Sequence, residues 1–284
     1  LARGTRRSRE KEAPRWQWPF LYGGFGLVIG LALLPHIGVI LASFASSWTS
    51  TLLPDWTLHN YARIFGEQAD LASNSIKLSL LCALLSMTAD VILGFALAYA
   101  LVRGRVWGAV VLDTLAMLPL ALPGLILAFG LLISYIDTPL DPLRNAVPLL
   151  VIAYTVRRLP YALRSVSAGL QQTSVTLEEA ARNLGASPLQ TMWSVTRPLV
   201  SANLIAAGLL TFAFAVLEVS DSLILTSDPK VAPIANAIYQ LTLLQSGGTF
   251  LACALGVIGM LLLAATFLIA NRLLGRQLGA LFRA

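Results

Sequence analysis

The chain has 284 residues, of which 57% are hydrophobic and 12% are charged. Soluble domains carry about 25% charged residues, and mean hydropathy here is +0.75, so the composition excludes an ordinary soluble domain and predicts an integral membrane protein. The net charge of +6 requires no nucleic acid as partner, because basic residues beside membrane spans contact anionic lipid. Membrane lipid is therefore a predicted partner, and nucleic acid is not.

Residues 1–20 form a basic N-terminal segment that ends in an aromatic belt at Trp16 and Trp18. The apolar run that follows is long enough to span a membrane and lacks a small-residue cleavage site near its end, so a cleaved signal peptide is not predicted. The first residue, Leu1, leaves two expectations open: an unusual start codon, or a fragment of a longer chain such as two fused six-span halves.

Six apolar stretches predict six membrane spans. Five of them are each long enough to cross a hydrocarbon core of about 30 Å as a helix; they cover residues 21–44, 76–101, 106–134, 199–219 and 251–274. The sixth, residues 143–163, is interrupted by Arg157 and Arg158. Residues 21–284 are therefore predicted to form one all-α membrane domain with six transmembrane helices.

The distribution of basic residues predicts the orientation of these spans. With the N-terminus inside, the outer side receives only Arg63, Lys77, Arg144 and Lys230, which leaves 16 of the 20 basic residues for the cytoplasmic side. This bias follows the positive-inside rule and predicts that both termini are cytoplasmic. Arg157 and Arg158 are interpreted as anchors at the cytoplasmic headgroups; if one of them faced a cavity, an anionic or chelated substrate would be favoured.

Pro119, Pro123 and Gly124 lie near the middle of the third predicted span. Two prolines four residues apart remove two backbone donors and free carbonyl groups at membrane depth, which is tolerated where backbone is buried in protein or lines a cavity. Broken helices often mark transport sites. These three residues are therefore predicted to line a translocation pathway, with a simple packing kink as the alternative.

Four acids lie in or beside the predicted spans. A charge inside a bilayer costs a few kcal/mol or more unless it is paired or protonated, so Asp90 in the second span and Asp113 in the third are predicted to pair between helices. The expected partner of Asp113 is one of the arginines after the second span. Glu218 and Asp221 are placed at the outer end of the fifth span, where a pathway role, as a cation-friendly patch, and a structural role both remain open.

A polar helix-turn-helix, residues 176–198, separates two apolar segments and is predicted to be cytoplasmic. Thr176 with Glu179 predicts a capping box at the start of its first helix, and Gly185 predicts a left-handed stop. The second helix has its own start signals, a cap, a proline at the first position and a box partner, at Ser187, Pro188 and Gln190. Such a plug indicates that the protein binds a partner there.

This loop resembles the EAA loop of the permease subunits of binding-protein-dependent ABC importers. That pattern is Glu-Ala-Ala, three residues, Gly, nine residues and then Ile-x-Leu-Pro, and the matching positions here are Glu179, Ala180, Ala181, Gly185, Val195 and Pro198. Arg197 stands where the pattern has leucine, which leaves the spacing intact. The resemblance extends over most of the chain and is nearest to the ferric-iron, phosphonate and polyamine branch.

The resemblance implies the type I ABC importer permease arrangement in a bacterial cytoplasmic (inner) membrane. The loop would be the coupling helix in a groove of a cytoplasmic ABC ATPase, with docking residues Glu178, Glu179, Ala180, Ala181, Leu184, Gly185, Ser187 and Pro188. The other implied partners are a second permease subunit or half (homodimer, heterodimer or fused) and a periplasmic or lipid-anchored substrate-binding protein. The substrate-binding protein would meet the outward-side loop, residues 222–250, in which Pro233 starts an amphipathic helix.

No Gly-x-x-x-x-Gly-Lys-Ser/Thr run occurs in the chain, so it does not hydrolyse ATP by the P-loop route. An enzyme is not predicted, no cofactor or metal is expected on this chain, and ATP is expected on the partner subunit. The resemblance favours ferric iron as substrate, with phosphonate, polyamine or sugar as alternatives. Two other classes stay open: an ion-coupled secondary transporter or channel, and a scaffold that only recruits a soluble partner.

Overall fold

The computed structural model describes residues 14–49, 52–104, 106–226, 228, 231–244 and 247–281; after residue 268 it describes only the backbone, apart from Arg272. Most of the predicted basic segment 1–20 lies outside these residues. In chain order the helices are α1 Trp18–Ser43, α2 His59–Phe65, α3 Ala69–Arg103, α4 Ala109–Ala121, α5 Gly124–Tyr135, α6 Ala146–Gln172, α7 Thr176–Asn183, α8 Pro188–Thr191, α9 Arg197–Leu199, α10 Ser201–Val216, α11 Ser220–Leu225, α12 Ile234–Thr242 and α13 Gly248–Leu281.

Two short helical turns and two short strands complete the described architecture. A 3-10 turn, Arg15–Gln17, precedes α1, and a π-helical turn, Met192–Thr196, joins α8 to α9. The strands β1 Ala45–Ser47 and β2 Asp55–Trp56 form an antiparallel pair. The pair was not predicted from the sequence, because two- and three-residue strands leave no usable hydrophobic period.

Four described helices are long and apolar enough to cross a membrane, over Arg15–Ser43, Ala69–Arg103, Ala146–Gln172 and Gly248–Leu268, and two bent pairs raise the number to as many as six. The all-α membrane fold is thereby confirmed. The third predicted span is broken: α4 and α5 meet at an angle of 103°. The stretch before α10 meets α10 at 75°, and α3 begins at Ala69, earlier than the predicted residue 76.

The centre of the bundle consists of α3, α6 and α10. The helices α3 and α6 run parallel and very close together, since a Cβ added at Gly94 would lie 2.8 Å from Ala162 Cβ. The helix α10 runs antiparallel to α6, and Ser165 and Asn203 exchange two hydrogen bonds between them, at 3.0 and 3.1 Å. This three-helix packing fixes the middle of α6 against the end of α10, where the charged residues lie.

The helices α2 and α12 pack together with α3 and α13 at one end of the bundle, and α12 is the amphipathic helix expected after Pro233. Their buried apolar residues form one cluster that includes Ile64, Ile234, Leu241, Leu251 and Leu255. The helix α12 begins directly after Pro233 and ends at Thr242. In contrast, α1 packs on α13 and leaves most of its large apolar side chains exposed, as a lipid-facing helix does.

Candidate docking helix and interior cavity

The polar loop folds into the two predicted short helices, α7 and α8. The Ser187 N–H donates to Gln190 Oε1 at 2.9 Å and the Gln190 N–H donates to Ser187 Oγ at 3.3 Å, so the predicted capping box of α8 is present. Gly185 has φ +91°, the left-handed conformation that glycine adopts without steric cost. The chain therefore reverses direction at Gly185 as the sequence predicts.

The other predicted capping box, Thr176 with Glu179, is wrong. The amides of Glu178 and Glu179 both donate to Val175 O at 3.0 Å, so α7 closes its first turn with Val175 at the N-cap and no side chain caps it. Thr176 consequently lies inside the first turn, and its hydroxyl is hydrogen-bonded to Ser174 Oγ at 2.7 Å.

Glu178 faces inward, which corrects its place among the predicted docking residues. Its side chain is 4% exposed and accepts a hydrogen bond from Arg103 Nε at 3.0 Å. The same arginine donates through Nη2 to Leu170 O at 2.8 Å and to Thr173 O at 2.9 Å. Arg103 at the end of α3 thus joins the end of α6 to α7, and Glu178 is not available to a partner.

The remaining predicted docking residues form or border the outer surface of the loop. Glu179, Ala180, Gly185, Ser187 and Pro188 are exposed and Ala181 is half-buried. Apolar side chains accompany them, because Leu184 is 90% exposed, Leu189 is 62% exposed and Leu177 is 50% exposed. We call the exposed members of residues 177–189 the docking surface.

A group of four charges lies in the middle of the bundle. Arg157 Nη1 donates to Glu218 Oε1 at 3.0 Å and to Asp221 Oδ1 at 3.4 Å, and Arg158 Nη2 donates to Glu218 Oε2 at 2.5 Å. Arg157 is the twelfth residue of α6, about 17 Å along a helix of about 40 Å. We call these four residues the charge cluster.

The charge cluster overturns one expectation from the sequence and one of the alternatives left open for the acids. Arg157 and Arg158 do not anchor the end of a span at the headgroups, because α6 continues for fourteen residues beyond Arg158, to Gln172. Glu218 and Asp221 do not form an open acidic patch, because they are 8% and 0% exposed and are paired with the arginines. The error arose because each pair was assigned separately to the end of an apolar run.

A cavity of about 250 Å³ lies between the charge cluster and the break of the α4–α5 pair. Its lining residues come from α4 and the break, from α6 and from the end of α10: Pro119, Leu120, Leu122, Arg157, Arg158, Tyr161, Phe214, Leu217 and Glu218. The predicted pathway residues Pro119 and Glu218 therefore meet at one cavity. Pro123 lies at the break as the N-cap of α5.

Gly124, the first residue of α5, packs directly against this arrangement. A Cβ added there would collide with Arg157 Nη1 and would lie 2.8 Å from Ser220 Oγ. Because side chains cannot approach so closely, glycine at this position leaves the space that the Arg157 guanidinium occupies. The predicted pathway residues Pro119, Gly124, Glu218 and Asp221 are thus near or within the charge cluster.

The two other membrane acids behave differently from each other. Asp113 pairs with Arg164 of α6 at 2.8 Å, so the predicted pairing between helices is present, although its partner is not an arginine that follows α3. Asp90 is fully buried in α3, and neither carboxyl oxygen has a hydrogen-bond partner among the described residues. A close interhelical ion pair for Asp90 is therefore absent among the described residues, although Arg158 of α6 is near enough to interact with its charge.

The fold and these sites define a helical membrane protein with a broken span at an interior charged cavity and a short exposed helix pair at one end. The chain belongs to the family described as binding-protein-dependent transport system inner membrane component, whose profile matches residues 90–278. The matched segment begins at Asp90 and includes the docking surface, the cavity and the charge cluster.

Two relatives and one solved structure illustrate the similarity. The chain is 30% identical over 256 residues to the ferric transport system permease protein FbpB of Actinobacillus pleuropneumoniae, over 89% of this chain and 36% of that protein. It is 31% identical over 223 residues to the trehalose transport system permease protein SugB of Mycobacterium tuberculosis, over 74% of this chain and 77% of that protein. The chain therefore spans only about a third of the length of the ferric relative.

The solved structure is a bacterial ABC transporter involved in the import of the acidic polysaccharide alginate. Its matched chain has a TM-score of 0.71 at 18% identity, over 92% of this chain and 96% of that chain. This likeness shows a common fold along nearly the whole length of both chains.

Proposed function

We propose that the chain is the permease subunit of an ATP-driven ABC importer, forms half of a translocation pathway and couples it to a cytoplasmic ATPase. The docking surface carries this proposal, because Leu177, Leu184 and Leu189 are exposed there among polar residues. Exposed apolar side chains with a polar rim are typical of a surface that contacts another protein. The names of the relatives, which are permease proteins of transport systems, support the same reading.

The structure suggests how movement at the docking surface would reach the spans. Arg103 ties α7 to the ends of α3 and α6 through hydrogen bonds of 2.8 to 3.0 Å. When ATP closes the ATPase dimer, two such docking surfaces are drawn together, and α3 and α6 move with them. Arg157 and the cavity lie on α6 about 20 Å from Leu170, so the same helix connects both sites. The chain transmits motion and carries out no bond chemistry.

The complete transporter would contain ATPase subunits with their ATP, a second permease subunit or half, and a substrate-binding protein on the outer side. The relationship to a ferric transport permease supports ferric iron as the substrate. Relatives whose names specify trehalose and putrescine keep sugar and polyamine as alternatives, and phosphonate is supported in the same way. The binding protein would determine much of this specificity.

Affinity isolation of the tagged protein from gently solubilised membranes tests the proposal. We expect a P-loop ATPase to co-purify and to be lost from a Glu179→Ala/Gly185→Val variant. Gln171→Ala, which alters an exposed residue at the end of α6 outside the docking surface, is the matched control and is expected to retain the ATPase. Wild-type protein that reproducibly purifies without an ATPase would contradict the proposal.

The unpaired buried carboxyl of Asp90 is the one observation that favours an ion-coupled carrier instead. Substrate uptake in cells that lack every candidate ATPase partner distinguishes the two functions. Uptake that persists there and disappears in Asp90→Asn would support the carrier. Uptake that stops without the ATPase supports the importer.

A further inference from the structure

Arg157 keeps part of its guanidinium group free and open to the cavity. Its side chain is 23% exposed, and its hydrogen bonds to described residues all use Nη1, toward Glu218 and Asp221. A guanidinium has five N–H donors in a fixed planar fork. The Nε–H and Nη2–H edge therefore remains without a partner among the described residues, and this is the edge that binds carboxylate or phosphate in a bidentate manner.

The acids of the charge cluster are not available to the cavity in the same way. Asp221 is fully buried. Glu218 already accepts from Arg157 at Oε1 and from Arg158 at Oε2. A cationic cargo would have to break these buried ion pairs to reach a carboxylate, whereas an anionic cargo meets free N–H donors. Glu218 lines the cavity beside Arg157, but its two oxygens are each engaged by an arginine, so the two acids hold the Arg157 guanidinium in place.

Position in the fold strengthens the case for a ligand site. The cavity lies beside the 103° break between α4 and α5, and Arg157 is near the middle of α6, far from the headgroups at either end. Gly124 leaves the room that the guanidinium needs. A partly free arginine at this depth is costly in a bilayer and typically marks a substrate or ion pathway.

We infer that Arg157 forms a subsite for an oxyanion group of the cargo, a carboxylate or phosphate, at the interior cavity. This inference rests on the proposed function, since it names the chemical class of the transported substrate. It selects cargo with anionic oxygens, free or as the ligands of a metal chelate, over polyamines and neutral sugars.

Binding to the purified protein in phosphatidylcholine nanodiscs tests the inference, because this neutral lipid offers no anionic headgroup as a competing source of the anion. The midpoint of thermal unfolding is followed while inorganic phosphate, succinate, putrescine or trehalose is titrated at constant ionic strength. We expect saturable stabilisation by phosphate or succinate only. In Arg157→Gln, the anion concentration that gives half of the maximal stabilisation should rise about ten- to a hundredfold, since a hydrogen bond to a charged group is lost.

Arg164→Gln is the matched control, because Arg164 lies on the same helix but pairs with Asp113 away from the cavity, and it should titrate like the wild type. If Arg157→Gln does not fold, the Leu122→Trp variant provides the test. The larger side chain fills the cavity without altering the charge cluster, so it should abolish the stabilisation by phosphate or succinate. Equal responses to putrescine or trehalose, no saturable response to either anion, or unchanged titrations in the folded variants would each overturn the inference. None of these measurements needs the ATPase. A negative result would therefore overturn the oxyanion subsite without contradicting the proposed permease function.

Discussion

Arg103 Nε donates a hydrogen bond to Glu178 Oε1 at 3.0 Å across 75 residues of sequence. The same guanidinium donates to Leu170 O and Thr173 O, and Leu170 O also accepts from the amide and hydroxyl of Thr173. One side chain therefore contacts the end of α6 and fixes α7 against it. The docking surface is held by a buried contact and does not depend on the loop backbone alone.

Arg103→Ala is expected to free α7 from the bundle. Breaking a buried ion pair by removing one partner costs about 3 to 5 kcal/mol, so we expect the region of Thr176–Asn183 to exchange amide hydrogen much faster and the co-purifying ATPase to be reduced. Hydrogen exchange with mass spectrometry, together with ATPase recovery, measures both effects.

Arg182→Ala provides the comparison for Arg103, because Arg182 donates to Tyr99 OH at 3.1 Å at an exposed position. Its removal should change local hydrogen exchange little. The exchanged pair Arg103→Glu/Glu178→Arg should recover part of the protection. Equal protection of α7 in Arg103→Ala and in the wild type would show that the contact does not hold the docking helix.

Gly185→Val is expected to abolish ATPase recovery and leave membrane insertion intact. The φ of +91° costs a residue with a side chain about 1 to 2 kcal/mol, and more for a β-branched one. No atom lies within 4 Å of an added Cβ, so the backbone is the sole source of strain. Gly185→Asn, which tolerates this conformation better, should retain most binding; a fully coupled Gly185→Val transporter would refute the role of the turn.

Gly124→Ala is expected to displace the Arg157 side chain, because the new Cβ would occupy the position of the guanidinium. Gly130→Ala on the same helix meets no atom within 4 Å and is the matched control. We expect Gly124→Ala to lower the midpoint of thermal unfolding and to reduce uptake, and Gly130→Ala to change neither. Identical unfolding curves for the two variants would contradict the close packing at Arg157.

Asp90→Asn is expected to raise the stability of the protein. A buried polar group without a partner costs about 1 to 3 kcal/mol, and more when it is charged, and both oxygens of Asp90 lack a partner among the described residues. Asp113→Asn removes a partly exposed pair with Arg164, whose contribution should stay within about 1 kcal/mol. Thermal unfolding of both variants in the same detergent compares them. A lower midpoint for Asp90→Asn than for Asp113→Asn would show that the electrostatic attraction between Asp90 and Arg158 outweighs the cost of burying the carboxyl group.

The sequence predicted those features that depend on local chemistry. Composition and apolar length were sufficient for an all-α membrane protein, the two prolines indicated the break at Pro123, and Gly185 and Ser187 indicated the turn and the second cap of the loop. Each of these signals comes from residues within a few positions of one another, so no knowledge of the tertiary fold was needed.

Contacts between distant residues could not be predicted in the same way. Arg157 and Glu218 are 61 positions apart, and each was assigned to a different side of the membrane because neighbouring apolar residues set the predicted span ends. Glu178 was interpreted as an outward residue because α7 offers a polar face without showing which part of it meets Arg103. A search for acids that could neutralise the two arginines inside α6 would have indicated the first pair.

The position of the charge cluster also affects the order in which the protein is assembled in the membrane. Each arginine near the centre of an isolated span costs about 2.5 to 3.5 kcal/mol on insertion, and α6 is the least apolar of the four unbroken spans. The acids that neutralise Arg157 and Arg158 are synthesised 60 to 64 residues later. We therefore expect α6 to remain in contact with the insertion machinery until α10 and the turn after it have emerged, so that the nascent chain integrates these two helices as a pair.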